Sequence, residues 1–342
     1  METELPLIWA GLIGTAVCLY VLLDGFDLGV GILFPFASPE EREQMVSSIA
    51  PVWDGNETWL VLGGGGLFAA FPLAYAILMP AMYMPIGLML IALVFRGVAF
   101  EFRANAGTSG RGKRFWTGAF AGGSLVAGIA QGFVLGGFVN GIDVDGRNFA
   151  GSGLAWLTPY SLLVAAGLVL GYALLGACWL IIKTEGAMQQ RARRWASLLF
   201  PMTGIAMAVV SVATLSVDPR VTVRWGVSMT SIDWELFLPV APIPIVAALA
   251  VVSGWRASVS QAELAPFLSA VAMFLSGLFG LVLSLYPYLI PFEVTIWEAA
   301  AAPNAQLLML VGALIMLPVI LGYTAYVYCI FRGKVSSNDA YH

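Results

Sequence analysis

Long apolar runs separated by short polar joints fill this chain from residue 7 to residue 331. A helix needs about 20 apolar residues to cross a bilayer, with a range of about 17 to 25. Nine runs meet that length, near 7–34, 57–76, 80–102, 115–138, 158–182, 196–217, 235–253, 265–290 and 307–331. Pro72, Pro80 and Pro85 crowd the junction of the second and third runs, so eight spans is the competing count. The basic residues favour nine. Thirteen of the sixteen Lys and Arg follow the odd-numbered runs, and only Arg147, Arg220 and Arg224 lie on the other side. Fusing two runs would spoil that alternation. The positive-inside rule then places the N-terminus outside and the C-terminus in the cytoplasm.

The polar residues that interrupt the pattern carry the chemistry. Asp24 and Asp27 lie well inside the first run, three apart and so on one helix face. A charge at the centre of a membrane helix costs roughly 2.5 to 3.5 kcal/mol on insertion scales. Trp53-Asp54-Gly55-Asn56-Glu57-Thr58-Trp59 opens the second run from the same side of the membrane. A proton or cation route is one reading of these acids. The structural alternative is an interfacial cap, with Asp54 or Asn56 at a helix N-terminus, two Trp in the headgroup belt, and local hydrogen bonds at Asp24 and Asp27. Arg96, a turn and a half inside Arg103, either snorkels to the cytoplasmic surface or pairs with a buried acid; Glu101 and the acids of the first run are the candidates.

Other features are expected to be structural. Gly25, Gly29 and Gly31 make a small-residue face for close helix contact, and Gly63 to Gly66 a packing surface or kink. Gln131 and Asn140 read as bonds between helices, 103–114 as a flexible basic loop, and Lys183 to Arg194 as a solvated turn. Cys18, Cys178 and Cys329 read as small buried hydrophobes. Tyr286 to Glu298, aromatic and proline-rich, reads as an outer interfacial cap. Neither Gly-rich run fits a nucleotide-binding pattern, because Phe34 and Leu67-Phe68 stand where that chemistry needs other residues. The start, Met1 to Glu4, lacks the basic region of a signal peptide.

Composition narrows the class. The chain has 342 residues, 60% hydrophobic and 11% charged; a soluble chain carries about 25% charged residues. The whole chain, 1–342, reads as a single all-α integral membrane domain with no room for a soluble one. Its one histidine is His342, the last residue. A membrane part without histidine is poorly equipped to ligate haem or a copper cluster by itself. If the chain belongs to a redox enzyme, the redox centres are expected on another subunit.

Three stretches carry a resemblance. Asp24-Gly25-Phe26-Asp27-Leu28-Gly29-Val30-Gly31, Ser48 to Leu60 around Trp53-Asp54-Gly55-Asn56, and Gly65 to Pro72 resemble subunit II of the bacterial cytochrome bd-type quinol oxidases. So do Phe95 to Arg103, Tyr286-Pro287-Tyr288 and Trp297-Glu298-Ala299. The likeness is densest over the first 105 residues; in 105–260 only hydropathy carries it. It implies two four-helix bundles with one peripheral helix, in the bacterial inner membrane. It implies a heterodimer with a haem-carrying subunit I, which holds haem b and haem d, or b in its place. That complex oxidises quinol at the outer face, takes protons from the cytoplasm, reduces dioxygen to water and does not pump. Asp54 matches the family acid on a cytoplasmic proton path at the subunit interface; Asp24 and Asp27 match the other motif acids. Glu57 stands where many relatives have Gln, which adds a carboxylate at the entrance. The resemblance leaves open a structural quinone in this subunit, small single-helix accessory subunits, and membership of the cyanide-insensitive branch. The rival reading is a secondary transporter with Asp24, Asp27 and Asp54 as a cation site, against which stand the lack of an internal repeat and the position of these acids off the midplane. A bare membrane scaffold is the third.

Overall fold

The computed structural model describes residues 4–105, 110–228 and 231–335. Its long helices are α1 (Leu5–Leu33), α3 (Trp53–Ala70), α5 (Tyr83–Asn105), α6 (Arg111–Val139), α7 (Pro159–Lys183), α8 (Gly186–Thr214), α11 (Pro242–Val259), α12 (Leu264–Leu285) and α14 (Pro303–Ile330). Shorter ones are α2 (Pro39–Ile49), α4 (Pro72–Ala81), α9 (Pro219–Trp225), α10 (Trp234–Val240) and α13 (Ile296–Ala299). Among the described residues, eight helices are long and apolar enough to cross a membrane. The stretch 53–81 is not one of them, because it is divided into α3 and α4.

The division has a local cause. Pro72 has no N–H to continue the ladder, so Phe71 closes α3 and opens α4 with non-helical dihedrals. The Ala70 carbonyl, freed from the ladder, accepts from Ala301 N–H at 2.9 Å and from Gln306 Nε2 at 3.0 Å. The chain turns again at Met82, so the boundary expected between 76 and 80 falls later.

α1 packs on α3, α6 and α7, and α5 on α6. α7, α8, α11 and α12 form a second group, and α14 lies against α1 and α3. Glycines set the closest approach. A Cβ on Gly29 of α1 would lie 1.8 Å from the Tyr172 carbonyl oxygen of α7, and one on Gly132 of α6 would lie 2.2 Å from Ala165 Cα. No larger residue fits either crossing.

Several joints differ from expectation. α2, absent from the apolar pattern, is a surface helix with a Ser38–Glu41 capping box and Pro39 in its first turn. α8 begins ten residues earlier than the apolar run, so Gln189 to Arg194 are helical, and Lys183 and Thr184 are buried rather than solvated. The proposed loop 103–114 contracts, with Arg103 inside α5 and Arg111 starting α6; residues 106–109 lie outside the described residues. α12 stops at Leu285, and 288–295 forms a two-stranded ladder. A second ladder pairs Val144–Asp145 with Asn148–Phe149. Asn140 is exposed at the end of α6, while Gln131 does bond between helices. Only Cys178 is buried; Cys18 is half-buried and Cys329 exposed.

Candidate functional site

Asp24 and Asp27 lie in the last third of α1 and are both fully buried. Their shared face meets α5 and α3. Arg96 of α5 donates from Nη1 to Asp24 Oδ1 at 2.7 Å, and is itself 1% exposed. It does not reach the surface. The charged neighbours that face it include Asp24, Asp27 and Glu57. A guanidinium this deep is tolerated only with paired charge around it. Glu101, the other candidate partner, is exposed at the end of α5.

Asp27 is held from α3. Asn56 donates from Nδ2 to Asp27 Oδ2 at 2.7 Å and to the Leu23 carbonyl at 3.4 Å. The other end of the amide accepts from the Tyr328 hydroxyl of α14 at 2.8 Å. One turn along α1 from Asp24, Tyr20 accepts from Gln131 Nε2 at 2.7 Å, and Gln131 Oε1 accepts from the Tyr172 hydroxyl at 2.5 Å. Polar groups from α1, α3, α5, α6, α7 and α14 thus converge inside an apolar assembly. Four polar atoms among them, Asp24 Oδ2, Asp27 Oδ1, Arg96 Nε and Arg96 Nη2, are buried with no hydrogen-bond partner among the described residues. Buried polar atoms are rarely left so, and each calls for an explanation.

Asp54 stands apart from that interior. It is exposed on the first turn of α3, and it caps nothing: Val52 holds the N-cap position with no side-chain bond. Asn56 does not cap either, because its side chain is spent on Asp27, Leu23 and Tyr328. The cap reading of both residues is therefore corrected. Glu57, half-buried, lies between Asp54 and the interior, facing Arg96, Asp24 and Asp54. Asp54 begins an exposed stripe that continues through Thr58, Val61, Gly65 and Phe68, and among the described residues nothing lies within 4 Å of a Cβ placed on Gly64 or Gly65.

α2 is tied to α5, α6, α7 and α8. Arg103 makes a two-pronged bond to Glu43, at 3.0 and 2.7 Å, and Lys113 adds a third contact at 3.0 Å. Arg191 pairs with Glu41 at 2.9 Å, and Trp179 of α7 donates to the Ser48 carbonyl at 3.2 Å. Burial works against ionisation of Glu43, but Arg103 and Lys113 outweigh it and hold its carboxyl below the usual range. Glu41 is held low in the same way against burial, by the Ser38 N–H and Arg191.

The residues that sequence reasoning missed are Tyr20, Tyr172, Tyr328, Glu43 and the pairing role of Arg103. The Ser38-Pro39-Glu40-Glu41 capping box was the readable signal for α2. Nothing local announces Tyr328, whose partner is 272 residues away.

His342, the one histidine, lies outside the described residues. Among the described residues no group of three His, Cys, Asp or Glu could hold a metal ion.

The fold and the buried acid–guanidinium cluster define a polytopic helical membrane protein with a charged, hydrogen-bonded site in its interior. The family model for cytochrome bd terminal oxidase subunit II matches residues 5–331, and the chain belongs to that family. It is a multi-pass inner-membrane subunit of an oxidoreductase complex, in a family whose complexes carry haem. The chain is 29% identical to cytochrome bd ubiquinol oxidase subunit 2 of Bacillus subtilis (strain 168), over 97% of each chain. It is 30% identical to the probable cytochrome oxidase subunit 2 of Haemophilus influenzae, over 98% of this chain and 96% of that one. Cytochrome bd-I ubiquinol oxidase subunit 2 of Escherichia coli (strain K12) is 29% identical over the same shares. The bd oxidase structure from Geobacillus thermodenitrificans shares the fold, with a TM-score of 0.75 at 18% identity, over 96% of this chain and 98% of that one.

Proposed function

We propose that this chain works with a haem-carrying subunit I in a quinol oxidase that reduces dioxygen to water and moves no protons by pumping. In this reading subunit I holds haem b and haem d, or b in its place. The present chain supports assembly and conducts protons from the cytoplasm towards its partner. Asp54 is the entrance, Glu57 the next carboxylate, and Asp27 and Asp24 the buried ones. α3 and α4 together form a ninth membrane passage, with the N-terminus outside and the C-terminus cytoplasmic. The 342 residues act as one integral domain.

The observation that carries the reading is the order of carboxylates by depth: Asp54 exposed, Glu57 half-buried, Asp27 and Asp24 fully buried. Intramembrane acids facing a bundle interior are the usual elements of proton routes. Asp54 also sits at the end of the glycine-bearing exposed stripe of α3, a surface suited to close approach by another helix. The orientation is supported by the gathering of Arg103, Lys113, Arg191 and Lys334 at the end where α3 begins.

Asp54→Asn tests the reading. Because Asp54 makes no N-cap bond, the substitution removes the protonatable group and its charge on the first turn without breaking a cap. The expected result is a haem-loaded complex whose quinol oxidase turnover falls about a hundredfold or more, the range of a lost acid–base group. Unchanged turnover per haem across pH would remove Asp54 from the path.

A further inference from the structure

α14 is the least embedded of the long helices; Gln306 is its one buried residue among those described. Polar bonds hold it at three levels. Near its start, Trp9 Nε1 donates to the Gln306 carbonyl at 3.1 Å and Gln306 Nε2 donates to the Ala70 carbonyl. Past its end, Lys183 Nζ donates to the Phe331 carbonyl and, at 2.8 Å, to that of Gly333. Between them, Tyr328 reaches Asn56.

The chemistry of the Asn56 amide makes that middle bond consequential. Its two partners on α1, the Leu23 carbonyl and Asp27 Oδ2, both accept, so the amide nitrogen must face α1. The amide oxygen then faces α14 and needs a donor, in a site where Asn56 is 1% exposed. The Tyr328 hydroxyl is that donor. Without it the buried oxygen loses its bond, and the amide is held from the α1 side alone, less firmly set against Asp27.

We propose that Tyr328 is a positioning residue of the proton path: its hydroxyl fixes the Asn56 amide, and the amide fixes the Asp27 carboxylate. The inference rests on the proton-path reading above. The groups that face Asp27 from the packed elements are Asp24 on α1, Glu57 on α3 and Arg96 on α5, and Tyr328 approaches from α14. None of these supplies the neutral donor that Asn56 does.

The test uses the complex purified with its partner, with turnover expressed per haem. Tyr328→Phe keeps the ring beside Trp179, whose centroid is 6.1 Å away, and removes only the hydroxyl. Turnover is expected to fall about two- to tenfold, the span of one neutral hydrogen bond. Slowed proton delivery is also expected to raise the solvent deuterium isotope effect. In an Asp27→Asn background, Tyr328→Phe should add nothing. Lys183→Gln frees the end of α14 without touching Tyr328 and should leave turnover per haem as it was. Wild-type turnover in Tyr328→Phe overturns the proposal. So does an equal loss with and without Asp27, an equal loss in Lys183→Gln, or a Tyr328→Phe chain that yields no haem-loaded complex. Where Asp27→Asn has no measurable turnover, the isotope effect of Tyr328→Phe decides: raised supports, unchanged overturns. Wild-type turnover in Asp27→Asn removes Asp27 from the path, a failure of the underlying reading that leaves any effect of Tyr328→Phe visible as a separate result.

Discussion

Arg96 offers the sharpest test of what holds the interior together. Its guanidinium is 1% exposed and bonds Asp24, which is fully buried, at 2.7 Å. Replacing it with Leu keeps apolar bulk in α5 and leaves the Asp24 carboxylate in a site without counter-charge. Breaking one side of a buried pair costs about 3 to 5 kcal/mol. That is a large share of the roughly 5 to 15 kcal/mol that keeps a protein folded. Arg96→Leu is therefore expected to lower the yield of haem-loaded complex by tenfold or more, read as reduced-minus-oxidised haem absorbance in membranes. Arg111→Leu, at the exposed start of α6, should change little. A second variant checks the cause. Asp24→Asn combined with Arg96→Leu removes both ends of the pair and should recover part of the yield. Recovery should be incomplete, because Asp27 and Glu57 also face Arg96. Equal yields from Arg96→Leu and Arg111→Leu would refute the reasoning, and so would a double variant worse than the single one.

Gly29→Ala forces a Cβ to 1.8 Å from the Tyr172 carbonyl, a backbone clash that should cost about 1 to 3 kcal/mol or more and depress assembly, whereas Gly14→Ala, with nothing within 4 Å, should be tolerated; equal melting temperatures of the two variants would contradict the close crossing. Glu43 is held below its ordinary value, so its contribution is complete above about pH 4.3 and is lost as pH falls through the folded value. Thermal stability of the complex in detergent should therefore drop below about pH 4, and Glu43→Gln should flatten that drop; an unaltered acid limb would count against the α2 clamp. Expressed without a partner, the chain should be colourless, because its one histidine is the last residue; a stoichiometric haem spectrum from it would refute this.

The spans were legible because hydropathy reports the solvent, and a bilayer imposes one length on every helix that crosses it. The acids were legible for the same reason, since Asp24 and Asp27 violate the apolar pattern. What hid was whatever obeys a different rule. α2 lies on the surface, so no apolar run marks it, and only its capping box could have. The extent of α8 hid because Arg191 and Arg193 read as solvated, when one pairs with Glu41 and the other closes the carbonyls of Ser260, Gln261 and Ala262. Asn56 was visible as a polar residue at a helix start, which is where caps occur. Its real partners come from α1 and α14, and no local spacing encodes either.

The break at Pro72 ties these observations together. A continuous helix through 53–81 would satisfy its own carbonyls and be placed by its whole apolar length. Divided at Phe71, α3 is only 18 residues long, and its first turn and a half is polar. Its ends then share with its packing on α1 in fixing its position. At one end the freed Ala70 carbonyl is taken up by Gln306 and by Ala301 N–H. At the other, Asn56 is taken up by Tyr328 and Asp27. Gln306 and Tyr328 both belong to α14, so the helix with the least buried surface bonds both ends of the helix that carries Asp54 and Glu57. A peripheral helix acting only as membrane filler would need neither side chain, and apolar residues at both positions would pack at less cost. The two polar bonds account for why α14 lies against α1 and α3, and for how a broken, polar-ended passage keeps its carboxylates in register with those of α1.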